Sequence, residues 1–257
     1  MWAVPVVVML PAGQGASSLT GVLVGPAVGP LAQGRLDEAL TLLESSYAAA
    51  ERIWGPEHTQ TLVTANNYAD LLMNRGELAK AEPILLHVLE VRRRVDGPQH
   101  ERTLGVLSNV GTLLRNKGDD AAAGPYFREA AEGAVVTLGP GHRTTLICRS
   151  NYAGWLGRAG RTEEAATLYQ EITADARKSL GDGNWMVGVL ETGYARTLND
   201  LGRVTEAREH GEAAYAQLSR LLGPTHDRAK TAAEVLAKIL EAQGQPAEAA
   251  AWREKAK

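Results

Sequence analysis

The 257 residues contain one cysteine, Cys148, which excludes an intrachain disulfide framework and a cysteine-rich zinc site. A small buried thiol in a reducing compartment is its simplest role. An excess of either charge is also missing. The chain has 27 Lys and Arg against 30 Asp and Glu, a formal net charge of −3, so the balance does not point to nucleic acid or another polyanion as partner. Long hydrophobic runs are lacking too. The most apolar stretch, MWAVPVVVML, is about ten residues where a membrane span needs ~20, and no transmembrane helix is expected. No Lys or Arg precedes it and Pro5 interrupts it, which argues against a secretory leader and for a cytoplasmic protein. VVVMLPAGQGASS imitates a strand entering a phosphate-binding loop, yet it lacks the lysine and the following βαβ pattern that such a loop needs. No nucleotide cofactor is expected. What remains is 44% apolar and 22% charged, the composition of a folded globular chain.

A repeat organises this material. The string DGPQHERTL at 96–104 returns as WGPEHTQTL at 54–62 and LGPGHRTTL at 138–146, and in altered form as LGDGNWMVG at 180–188 and LGPTHDRAK at 222–230. Gly55, Gly97, Gly139, Gly181 and Gly223 are 42 residues apart, as are Gly76, Gly118, Gly160, Gly202 and Gly244. Ala81, Ala123, Ala165, Ala207 and Ala249 keep the same step, with Ala39 and Gly34 one step earlier. Fixed periods of this length mark repeat architectures. Within a unit, Leu62, Ala65, Ala69 and Leu72 predict one helix and Leu78, Ala81, Leu85 and Val88 a second. The glycines fall where each helix must stop, and the small alanine lets the two helices approach closely.

The residues GPEHTQTL (55–62) and NNYADLLMNRGELAKAEPILLHVLEVRRRV (66–95) resemble the tetratricopeptide repeat family, in its 42-residue, kinesin-light-chain-like branch. The resemblance covers residues ~35–257. It implies an all-α, right-handed α-solenoid of stacked helical hairpins, with a half unit at 34–54 and units at 55–96, 97–138, 139–180, 181–222 and 223–257. Residues 1–33 depart from the pattern, since Gly21, Gly25, Gly29, Pro26 and Pro30 would break a helix there. An irregular apolar segment is expected. Where it leaves the face of residues 36–54 (Leu36, Leu40, Leu43, Ile53) uncovered, a second copy of the chain could bind, so a homo-oligomer is a further expectation.

The recurring His58, His100, His142 and His226, with Asn184 in the fourth slot, invite a metal or catalytic reading. Equivalent residues of stacked hairpins lie roughly 8–10 Å apart, whereas the ligands of one zinc sit ~2 Å from it. The histidines therefore read as helix-capping joints, and no metal is expected. His87 and His210 show no partner spacing. The run RRR at 92–94 reads as a solvated helix end suited to the dipole, and Trp185 as either a staple of its turn or an anchor for a partner.

Asparagine is a mediocre helix former, yet Asn67, Asn109 and Asn151 share one register, with Asn66, Ser108, Ser150 and Thr192 just before it. The family resemblance implies that first helices line a concave groove in which such asparagines hold the backbone of an extended peptide. Gly193 and Val235 break the register. Amides bonded only between neighbouring helices are the competing reading. Further along the same face come Asp70, Arg115, Arg158, Arg196, Asn199 and Asp200. The arginines could pair carboxylates bidentately, unless Asp70 and Asp200 neutralise them. No catalytic triad, carboxylate pair or metal motif has spacing above background. The expectation is thus a non-catalytic scaffold for a peptide or protein partner, binding neither nucleic acid nor membrane and using no cofactor. Its rivals are a small-molecule or enzymatic pocket closed by residues 1–33, and a homo-oligomerisation scaffold.

Overall fold

The joint between hairpins is built from a few backbone demands. In a computed structural model, which describes residues 36–257, Gly97 adopts φ +95°, a left-handed conformation open at little cost only to glycine. His100 then takes extended angles, φ −72° and ψ 142°, and its Nδ1 accepts from the Arg102 N–H at 3.2 Å. His58, His142 and His226 do the same for Gln60, Thr144 and Arg228 at 3.2, 3.3 and 3.1 Å. Asn184 Oδ1 accepts from the Met186 N–H at 2.9 Å in the fourth joint. Each cap satisfies one orphan donor of a helix start. Beneath the cap a buried threonine hydroxyl reaches back across the joint: Thr61 to the Ala50 carbonyl, Thr103 to that of Arg92 and Thr145 to that of Ala134.

These joints separate helices α1 (Leu36–Trp54), α2 (Thr59–Arg75), α3 (Leu78–Val95), α4 (Glu101–Asn116), α5 (Asp120–Leu138), α6 (Arg143–Arg158), α7 (Thr162–Leu180), α8 (Trp185–Asp200), α9 (Val204–Leu222), α10 (Asp227–Ala242) and α11 (Pro246–Lys255). No strand occurs among the described residues. The chain divides into two compact units at Tyr126 and Phe127, inside α5. In the first, α2 packs on α1 and α3, and α4 packs on α3 and α2. In the second, α7 lies against α6 and α8, α9 against α8 and α10, and α11 against α10, while α8 also touches α6 and α10. Contacts between successive first helices, added to those within each hairpin, define an all-α solenoid. The segment 1–33 and Gly34 lie outside the described residues.

The hairpins close on their smallest side chains. Ala39, Ala81, Ala123, Ala165, Ala207 and Ala249 are all completely buried, so a methyl group sets the spacing wherever two helices of a pair meet. Leu62, Ala65, Ala69 and Leu72 on α2 and Leu85 and Val88 on α3 are buried, as are Leu40 and Leu43 on α1. Ile53 differs from its expected place on the α1 face. It is 54% exposed because it falls on the last turn, next to Trp54, whose ring stacks on the His58 imidazole. The RRR run also differs. Arg92 is buried, bonded to the Asp96 carboxylate at 2.7 Å and to the Thr59 carbonyl at 3.1 Å, so it ties a helix end to the next joint. Arg93 and Arg94 are exposed.

The caps make a prediction. His100→Ala should lower stability by about 1 kcal/mol in a denaturant melt, whereas His100→Asn, the residue that the fourth joint already uses, should cost only a fraction of that.

Candidate functional site

In the first unit, α2 and α4 bring a polar cluster together. Asn109 Nδ2 donates to Asn66 Oδ1 at 3.0 Å, and Asn66 Nδ2 donates to Asp70 Oδ2 at 3.4 Å. Asn66, Asn67 and Asp70 are buried, and Asn109 is half-buried. Neither amide atom of Asn67 has a hydrogen-bond partner, nor does Asp70 Oδ1. One N–H of Asn109 is therefore spent on the neighbouring helix, which fixes its amide and leaves its oxygen and second N–H to other partners. The inter-helix reading of these amides holds for the Asn66–Asn109 pair. Arg115, near the end of α4, is buried at 7% exposure.

Burial pushes the Asp70 carboxyl well above the usual carboxylate range, with no cation beside it to oppose the shift. Asp70 therefore does not serve as a counter-charge for an arginine strip. Asp200 does so in part: burial raises its carboxyl, and Arg196 and Lys238 pull it back down.

In the second unit Asn151 is half-buried and Arg158 exposed on α6, and Arg196 and Asn199 are half-buried on α8. The loss of asparagine at Gly193 has a steric cause. A Cβ there would sit 2.6–2.8 Å from the ring edge and hydroxyl of Tyr169, and Tyr169, buried and bonded to the Ser150 carbonyl at 3.3 Å, leaves no room for a side chain. Val235 is buried with the core of this unit.

Sequence reasoning missed a second polar group in this unit. Glu191 of α8 is 2% exposed and accepts from Arg177 Nη2 of α7 at 2.6 Å and from His210 Nδ1–H of α9 at 2.5 Å. The His210 ring lies 4.7 Å from that of Tyr194. Three successive helices share this carboxylate. Its partners stand 14 and 19 residues away, outside any local motif, and the one signal was a glutamate at a register position that holds Leu107 or Arg149 in earlier units. Among the described residues no group of three or more His, Cys, Asp or Glu could hold a metal ion. Cys148 is buried and forms no disulfide. No described helix is long and apolar enough to cross a membrane.

Two outcomes follow. Asp70→Asn should raise the melting temperature at neutral pH, because a carboxyl raised on folding stabilises the protein below its unfolded pKa near 3.8 and loses that contribution as pH rises through the folded value. The gain should shrink as pH falls toward 4. Restoring the ladder with Gly193→Asn should cost about 1–3 kcal/mol by overpacking, and Tyr169→Leu in the same chain should recover part of it in a double-mutant cycle.

Tetratricopeptide repeat models match residues 61–123, 102–178 and 187–256, and a further model of the same repeat matches 31–60. Curated proteins give no match to the sequence. Solved structures share the fold at low identity. BtubC (BKLC) from P. vanneervenii superposes with a TM-score of 0.68 at 18% identity, over 86% of this chain and 89% of that one. The nearly identical TPR-like repeats of a putative kinesin light chain from Podosopora anserina give 0.62 at 19%, over 80% and 99%. A Rap protein complexed with competence and sporulation factor gives 0.61 at 13%, over 91% and 77%. With matched repeats along most of its length and kinesin-light-chain-like spacing throughout, the chain belongs to the tetratricopeptide repeat family.

Proposed function

We propose that the chain is a protein-interaction scaffold whose first helices hold an extended, acidic peptide or a flexible segment of a partner protein. The observation that carries this reading is the Asn109 amide, half-buried and fixed by its 3.0 Å bond to Asn66. A locked amide with an unspent N–H and oxygen can take the C=O and N–H of a peptide backbone without losing rotamer freedom. Asn151, in the same register, is proposed as a further station, with Asn66 as the residue that orients Asn109, while Asn67, 2% exposed, lies beneath the surface that a ligand would touch. On the second unit Arg158 and Arg196 supply guanidiniums for carboxylates, with Asn199 three residues beyond Arg196. Arg115 is too deeply buried to meet a ligand directly. Each unit carries its own stations, Asn66 and Asn109 in the first and Asn151, Arg158, Arg196 and Asn199 in the second. The complex of a Rap protein with competence and sporulation factor is in keeping with a partner held on this fold.

The test is selection of random phage-displayed peptides on the full chain, followed by fluorescence anisotropy with the winners as labelled synthetic peptides. Enrichment in Asp and Glu is expected. Asn109→Ala should weaken binding about tenfold and cost about 1 kcal/mol of stability through the lost bond to Asn66. Arg158→Glu with Arg196→Glu should abolish the preference for acidic sequences. Selected peptides without acidic enrichment would remove the acidic ligand, and affinity indifferent to Asn109→Ala would remove the ladder as its seat.

A further inference from the structure

At the start of α8 the fourth joint departs from the others. Its first helical residue is Trp185 where the other joints have Thr59, Glu101, Arg143 and Asp227. The indole is half-buried and packs on both core clusters of the second unit, so it staples the turn. It also does more. The Arg228 guanidinium of α10 lies 4.0 Å from the ring centroid, and that of Arg143, from the first turn of α6, lies 5.7 Å away. Two cations from the hairpins on either side thus meet one aromatic ring, which attracts each of them through its quadrupole.

Cation–π attraction does not cancel the repulsion between two guanidiniums within about 10 Å of each other. Neither arginine makes an ion pair among the described residues, although Arg149 and Arg177 of the same unit are both bonded to carboxylates. Arg228 Nε is buried with no acceptor. Burial first, and then the charge of Arg143, pull the Arg228 guanidinium below its ordinary value, with Asp227 opposing them. Other charged groups nearby are spoken for: Lys230 donates to the Lys257 carbonyl, and Asp182 pairs with Arg177. The site holds two positive charges, and Asp227 is the carboxylate that acts on Arg228. The site lies where three helices begin, so the dipoles of α6, α8 and α10 add to the same sign.

We propose that Arg143, Trp185 and Arg228 form a binding site for a phosphate-type dianion. A singly charged carboxylate would satisfy one fork and leave the other cation bare. A phosphate carries nearly two charges and at least three oxygens, so it can take the fork of one guanidinium and still answer the charge of the other. Trp185 is the positioning residue: it holds both guanidiniums against its ring and takes no part in the charge pairing. The phosphate comes either from free solution or from a phosphorylated side chain of a partner, and the chemistry of recognition is the same for both. This site stands apart from the asparagine and arginine stations of the first helices, so it survives or fails separately from the peptide reading.

Trp185 offers a direct reporter. In an 1H–15N spectrum of the full chain its indole N–H is assigned by its disappearance in Trp185→Phe, then followed while inorganic phosphate replaces chloride at constant ionic strength. A saturable shift is expected with phosphate, at least about tenfold weaker with acetate. Arg228→Met and Arg143→Met should each abolish saturation. Arg143 is exposed, so its variant keeps the fold if the half-buried Arg228 does not tolerate change. A peptide bearing one phosphoserine, compared with its serine form, separates the sources. Binding tighter than inorganic phosphate assigns the site to a phosphorylated partner, and binding no tighter assigns it to free phosphate. The proposal is overturned if chloride and phosphate move the indole alike, or if Arg143→Met responds as the parent does.

Discussion

The structure depends on a cap. Each first helix begins with N–H groups that no preceding turn can satisfy, and in every described joint a side chain two residues before one of them accepts it: a histidine nitrogen four times and an asparagine oxygen once. The geometry that brings the acceptor into place needs a left-handed glycine three residues earlier. Once the cap and the glycine are set, the direction of the next helix is set too. Everything that faces inward from α2, α4, α6, α8 and α10 is then counted from that point. A residue that looks chemically ambitious in a list of titratable groups is here a piece of backbone bookkeeping.

Much of this was legible beforehand because the constraint is local and recurs. A glycine, a capping side chain and a buried alanine each act on neighbours within one turn or one hairpin, so they return every 42 residues and betray themselves by returning. Asn66 and Asn109 were visible as adjacent registers, yet their bond spans 43 residues rather than 42, an offset that no single register shows. Glu191, His210 and Arg177 were not legible at all. Their carboxylate, imidazole and guanidinium occur in one unit only, come from three helices and obey no spacing. Arg92 was misjudged for a related reason. The eye sees three arginines in a row, whereas a helix sends consecutive residues in different directions, and one of the three points under the joint.

The units are alike in backbone and unlike in how they fill themselves. Tyr169 takes the room that Gly193 gives up, and Gly211 in turn lies where an added Cβ would meet the Leu236 side chain at 2.8 Å. Volume is thus traded between neighbouring hairpins while the alanine of every hairpin stays fully buried. Such exchanges make each interface particular to its two helices, although the repeat is regular. The polar register ends where this trade claims the space for an aromatic ring, which is a packing outcome rather than a statement about ligands.

The threonine hydroxyls beneath the joints carry a consequence for how such an array could grow. Thr61, Thr103 and Thr145 each bond a carbonyl 11 residues earlier, in the helix before the glycine. Reading the repeat from glycine to glycine therefore cuts through the most heavily cross-tied part of the chain. The turns at Gly76, Gly160 and Gly202 are held mainly by backbone bonds to the helix that has just ended. The piece that could be copied or transplanted with its fastenings intact runs from one such turn to the next. It consists of a second helix, its joint and the following first helix, half a period out of step with the unit the eye picks from the sequence.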